Sequence, residues 1–142
     1  MNELNQRQDE IIEEFSVFTD WMDKYAYLID LGKDLPDMDD DKKTEQILIK
    51  GCQSRVWLDA EFDGNKINFV ADSDAIITKG IVALLIRVTS NLSPKEIMDS
   101  ELYFIDKIGL KENLSPTRSN GLVSMIKQIK MYALAYHTKQ NS

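Results

Sequence analysis

The stretch VWLDAEFDGNKINFVA, residues 56–71, decides the fold. Val56, Leu58, Ala60 and Phe62 alternate with Trp57, Asp59 and Glu61, the period of two by which an extended strand separates its faces. Ile67, Phe69 and Ala71 repeat the alternation. Between the runs, Asp63-Gly64-Asn65 carries turn chemistry, because Asp-Gly accepts the positive φ that tight hairpins need. The spacing predicts an antiparallel hairpin. Just upstream, Ile47-Leu-Ile49 is apolar and β-branched at two of three positions. It predicts a third antiparallel strand, with Cys52 in the connection.

Helical periodicity takes over on both sides. Downstream, Asp72-Ser73-Asp74 offers N-cap side chains for a helix from Ala75 to Thr89 that is apolar nearly all round, the mark of a core helix. Ser93-Pro94 with Glu96 is a capping box with proline at the first helical position, and Ser115-Pro116 repeats the device. In the last helix Leu122, Met125, Ile126, Ile129, Ala133 and Tyr136 share one face, with Lys127, Gln128 and Lys130 on the other. Upstream, Ile11, Phe15, Phe18, Met22 and Tyr25 mark one helical face, and a second short pattern over 25–31 closes at Gly32. Leu35-Pro36 breaks the helix, because a residue before proline avoids the α region. The expectation is an α+β fold: a small three-stranded antiparallel sheet with helices packed on one face. It forms a single domain over 1–142, with helices in 1–34, a loop over 35–46, the sheet in 47–72 and helices in 74–140.

Counts exclude several functions. The chain has 142 residues, one cysteine and one histidine. One cysteine forms no internal disulfide and no thioredoxin-type dithiol. One Cys and one His fall short of a thiolate–imidazole metal site within one chain, so no such metal site is expected. A net charge of −7 argues against nucleic acid, whose partners are basic. That charge is concentrated: residues 1–49 hold 14 acidic and 5 basic side chains, and residues 50–142 hold 10 and 12. A solvated helix plus an acidic loop accounts for it, and a polar arm steering a partner is the sharper alternative. The longest apolar run, Ile81–Ile86, is far short of the ~20 residues that span a membrane, and MNELNQRQDE is too polar for a signal peptide. The expectation is a soluble, cytoplasmic protein.

Cys52 is the one strong nucleophile. Free cysteines are mostly buried, inert hydrophobes. Here the neighbours Gly51, Gln53 and Ser54 are small or polar, and Lys50 and Arg55 would favour the thiolate. His137, near the end of the last helix, is badly placed as a catalytic base. No GxGxxG or GxxxxGK[ST] loop occurs. Asp37, Asp39 and Asp41 mimic a calcium loop, but Lys42 stands where glycine is needed and Leu48 where glutamate is needed. What remains for a lone thiolate is exchange with other proteins' sulfurs. Arg118, in the first turn of the last predicted helix, reads either as a solvated cation or as a contact to a partner or to Asp74. Asp74 itself reads as a helix cap. Trp21 and Trp57 read as core or partly buried.

Gly51-Cys52-Gln53-Ser54-Arg55-Val56-Trp57 resembles the GCQSxVW signature of the SufE family of sulfur-acceptor proteins in iron–sulfur cluster assembly. Three more blocks agree in order: Tyr27–Pro36 with YLIxLGKxLP, Ala71–Gly80 with ADSDAxIxKG, and Leu114–Leu122 with LSxxRxNGL. The resemblance implies that a PLP-dependent cysteine desulfurase of the SufS type delivers persulfide sulfur to Cys52. The carrier then stimulates that enzyme and passes sulfur to a downstream cluster scaffold, holding no cofactor of its own. It also implies that Gly51, Gln53, Ser54, Asp74 and Arg118 support the loop or the partner surface. The resting thiol would sit in a shallow apolar pocket and swing out to react. The alternatives are a binding or regulatory module with a structural cysteine, and a cluster scaffold. The scaffold would need about 3–4 ligands per cluster, typically cysteines, and one per chain is too few unless oligomers share.

Overall fold

The computed structural model describes residues 2–141. The hairpin forms as the alternation predicts. Strand β1 (Val56–Phe62) pairs antiparallel with β2 (Ile67–Ser73), from Val56 opposite Ser73 to Phe62 opposite Ile67. The inward set Val56, Leu58, Ala60, Ile67, Phe69 and Ala71 is buried in one core.

The expected third strand shrinks to one isolated bridge, Leu48 opposite Trp57, so the sheet has two strands. The edge of β1 explains this. Ile49 N–H donates to the Val56 carbonyl (2.8 Å) and Leu58 N–H to the Ile47 carbonyl (2.9 Å). Beyond that point the edge carbonyls are already satisfied: the Tyr132 hydroxyl donates to Leu58 O (2.9 Å) and the Tyr136 hydroxyl to Ala60 O (3.2 Å). Two side chains of the last helix do the work of a strand, which leaves no edge to pair.

Among the described residues six α-helices pack with the hairpin. The N-terminal face breaks into α1 (Glu3–Ser16) and α2 (Trp21–Lys33), because the Asp20 carboxylate accepts from Asp23 N–H (3.0 Å) and starts a second helix. Met22, placed by its spacing on the first helical face, is therefore 79% exposed. The acidic first third is no free arm, since Leu4, Ile11 and Phe15 of α1 are core residues. Gly32 does not close α2, which runs one residue past it. It lies against Gly80 of α3 (Ile76–Thr89), where an added Cβ would come within 2.8 Å of the Gly80 nitrogen. The glycine permits a close crossing rather than a stop.

The core helix α3 buries Ile81, Val82, Leu84, Leu85 and Val88, as its composition predicts. The short helices α4 (Pro94–Met98) and α5 (Phe104–Lys107) lead to α6 (Pro116–Gln140). Both cap-plus-proline devices hold: Ser93 and Glu96 form the capping box, and Ser115 Oγ accepts from Arg118 N–H (3.2 Å). Lys130 departs from the expected solvated face. Its ammonium is half-buried and donates to the Ile97, Met98 and Ser100 carbonyls at 2.8, 3.2 and 2.5 Å, closing the end of α4. Burial lowers its pKa.

The outer face of the hairpin is not bare. Asp72, only 3% exposed, accepts from Met38 N–H (3.0 Å) and pairs with Lys79 and Lys43, pinning the loop after α2 across the sheet. Burial raises the Asp72 pKa, but the Met38 and Ser73 amides and the Lys79 ammonium outweigh it and hold it below the usual carboxylate value. Asp37, from the rejected calcium pattern, pairs with Lys79 instead.

Candidate functional site

Cys52 sits in the loop that leads into β1. Gly51 takes φ +91, a conformation that costs a side-chain-bearing residue about 1–2 kcal/mol. Its open face lies on α6, where a Cβ would come within 2.6 Å of Ser124 Oγ. At the other end of the loop the Arg55 backbone is clamped twice. Its N–H donates to Asp74 Oδ1 (3.0 Å), and its carbonyl accepts from Asp74 N–H (3.2 Å) and from the Ser73 hydroxyl (2.8 Å). This corrects the cap reading of Asp72-Ser73-Asp74. The N-cap of α3 is Ala75, with no side-chain cap bond, because those polar groups serve the Cys52 loop and the segment across the sheet instead.

The thiol is half-buried against α6. Cys52 Sγ donates to the Gly121 carbonyl at 3.6 Å, and a Cβ on Gly121 would lie 3.3 Å from the sulfur. Burial pushes the thiol pKa up. That corrects the expectation of a thiolate favoured by Lys50 and Arg55: both side chains are exposed, and desolvation governs the sulfur.

Beside the sulfur lies a cavity of about 170 Å³. Buried Thr78, Ile81, Gly121 and Met125 form its inner wall. Exposed Gln53, Ser115, Thr117 and Arg118 form its rim, together with half-buried Ser54. The pocket is therefore polar at the mouth, where a shallow apolar one was expected. Of the six expected site residues, Cys52, Gln53, Ser54 and Arg118 line it. Gly51 sets the loop's direction and Asp74 holds its far end. The Arg118 guanidinium makes no hydrogen bond or ion pair with the described residues; only its backbone N–H is engaged, by Ser115. It does not reach Asp74, whose carboxylate is spent on Arg55 N–H. His137 lies sixteen residues beyond Gly121 on the same helix, roughly 24 Å along its axis, and takes no part.

Sequence reasoning passed over Thr78 of α3, which lines the cavity, and Gly121 of α6, which touches the thiol. Thr78 is one of two hydroxyls, with Thr89, in a mostly apolar helix, and that was its one signal. Among the described residues no group of three or more His, Cys, Asp or Glu side chains could hold a metal ion. No helix among them is long and apolar enough to cross a membrane.

The family model for SufE, described as an Fe-S metabolism associated domain, matches residues 9–133. A SufE-like protein of Rhizobium etli is 43% identical over 127 residues, covering 86% of each chain. One from Rhizobium meliloti is 40% identical, covering 88% of this chain and 93% of its own. One from Synechocystis is 35% identical, covering 92% and 82%. All three are described as uncharacterized. The solution structure of a hypothetical protein from Thermus thermophilus shares the fold, with a TM-score of 0.76 over 93% of this chain and 96% of that one, at 19% identity. With its α+β fold and its single cysteine beside a polar-mouthed cavity, the chain belongs to the SufE family of Fe-S metabolism associated domains.

Proposed function

We propose that the protein accepts persulfide sulfur from a PLP-dependent cysteine desulfurase onto Cys52, stimulates that enzyme by clearing it, and passes the sulfur to a downstream iron–sulfur cluster scaffold. One observation carries this reading. A lone thiol sits in a loop fixed at both ends but only half covered, beside a cavity large enough for an added atom.

The chemistry balances without an oxidant. The Cys52 thiolate attacks the outer sulfur of the donor's persulfide, a new S–S bond forms, and the donor's thiolate leaves. Cys52 gives up one proton and the donor cysteine takes one. With no second cysteine in the chain, no internal disulfide competes for the cargo. The raised thiol pKa keeps the resting sulfur protonated and unreactive, so reaction requires the loop to move or the partner to take the proton.

The test is intact-protein mass spectrometry after incubation with a cysteine desulfurase and L-cysteine. The expected result is a gain of one sulfur atom on Cys52, lost in Cys52→Ser together with stimulation of the enzyme. Equal stimulation by Cys52→Ser would discard the reading. The half burial of Cys52 favours a second reading, a binding module in which the cysteine is structural. That reading expects Cys52→Ala to cost about 1 kcal/mol or more of stability and sulfur acceptance to be absent.

A further inference from the structure

The cavity beside Cys52 holds a group that neither the fold nor the sulfur-acceptor reading uses. Thr78 is 4% exposed and its hydroxyl makes no hydrogen bond with another described residue, but it is not sealed in: every fully buried side-chain nitrogen and oxygen among the described residues has a partner, so this oxygen keeps an opening to solvent. It does not bond back to the carbonyl four residues earlier, as Thr89 does to Leu85 (2.7 Å). Thr78 lines the cavity, so whatever satisfies it enters there.

The rest of the lining says what kind of guest that is. Thr78 is the third residue of α3, a helix whose first turn has no side-chain cap. Ser115, Thr117 and Arg118 are the N-cap and first turn of α6. Two helix N-termini, each with a partial positive charge, thus meet at one cavity. Arg118 is the one charged side chain in its wall. Donors and positive ends call for an anion. The sulfur-acceptor reading supplies one at this place: the outer sulfur of a Cys52 perthiolate, which can only accept hydrogen bonds.

Resting on that reading, we propose that Thr78 donates its hydroxyl to the outer sulfur of the Cys52 perthiolate, so that the cavity stores the loaded group. The bond forms only after loading. The resting thiol already has its acceptor in the Gly121 carbonyl, and a perthiolate has no S–H to give it. Thr78 is then what tells loaded from empty carrier inside the protein.

The experiment loads the sulfur without a desulfurase, so that it fails independently of the partner's identity. An aromatic disulfide reagent converts Cys52 to a mixed disulfide, and hydrosulfide displaces the aromatic thiolate to leave the persulfide. The parent, Thr78→Val and Thr78→Ser are then compared by the pH titration of perthiolate absorbance and by the rate of sulfur loss to cyanide as thiocyanate. In Thr78→Val the perthiolate pKa should rise by roughly 0.5–1 unit and sulfur should be lost roughly 3–10-fold faster, the scale of one hydrogen bond to an anion. Thr78→Ser should keep the parent's behaviour. Circular dichroism checks folding, and Thr78→Ala gives the same comparison if valine crowds the cavity. Parent-like values in both the valine and alanine variants overturn the proposal. So does an equal shift in the alkylation profile of the unloaded thiol, which would place Thr78 in the packing of the loop.

Discussion

The two ends of β1 are built from the same parts and behave differently. At the far end, Gly64 takes φ +98 and Asp63 accepts from Asn65 and Lys66 N–H, both at 2.8 Å. At the near end, Gly51 takes φ +91 and Asp74 accepts from Arg55 N–H. The turn over residues 63–66 closes on itself within four residues, and a Cβ on Gly64 would meet nothing within 4 Å. The Cys52 loop is held by residues 19 and 69 positions away, Asp74 before α3 and Gly121 on α6. One end connects strands. The other couples a thiol to two helices, so a disturbance in either helix reaches the sulfur.

Paired substitutions at the two glycines give the largest expected contrast. Gly51→Ala and Gly64→Ala should each cost about 1–2 kcal/mol for forcing alanine to positive φ, measured by urea unfolding. Only Gly51→Ala should change the sulfur. Its Cβ pushes against Ser124, lifts Cys52 off Gly121 and restores solvent, raising iodoacetamide alkylation at neutral pH by roughly tenfold. Equal alkylation in the two variants would break the distinction between the ends.

The same contrast explains what could be read in advance. The hairpin was legible because alternation and an Asp-Gly turn are local signals, both complete within 56–71. Ser93 and Ser115 were legible as caps for the same reason. The missing third strand was not, because Tyr132 and Tyr136, more than seventy residues away, take the carbonyls it would have used. Asp74 looked like a cap because a carboxylate before a helix usually is one, and only the fold brings Arg55 close enough to claim it. Cys52 stood out as the lone strong nucleophile and Arg118 by its place in a helix's first turn, and the motif blocks tied Gln53 and Ser54 to them. Thr78 carries no motif signal and becomes visible only as an unpaired hydroxyl in a shared wall.

A smaller effect is expected at Asp74. Asp74→Ala removes one hydrogen bond from the loop, costing about 1 kcal/mol, and should speed Cys52 alkylation roughly threefold. The pH profile sharpens the point. In the parent, burial raises the thiol pKa, so alkylation should rise with pH through a midpoint above that of an unperturbed cysteine, about 8.5. A thiol held protonated by the fold contributes stability below its unfolded pKa and loses that contribution as pH rises through the folded value. The parent's stability should therefore fall at alkaline pH more than that of Asp74→Ala, whose thiol midpoint moves back toward the ordinary value. An unchanged midpoint would mean that the clamp on Arg55 does not hold the sulfur in place.

Arg118 should show the smallest stability effect and yet a functional one. Its guanidinium is exposed, has no partner among the described residues and sits in the first turn of α6, where the helix dipole disfavours a cation by a few tenths of a kcal/mol. Arg118→Ala should thus leave stability within about 0.5 kcal/mol, with any change toward gain. A residue kept only for the fold would not show that sign. On the sulfur-acceptor proposal, the same charge at the cavity mouth would meet an incoming perthiolate before any contact forms. Loading of Cys52 by a desulfurase should therefore slow roughly two- to fivefold in Arg118→Ala, and added salt should shrink the difference, because long-range attraction is screened while packing is not. Arg118→Lys should restore most of the rate. Unchanged loading at low salt would reduce Arg118 to a solvated cation and leave the near end of β1 depending on Gly51, Asp74 and Gly121 alone.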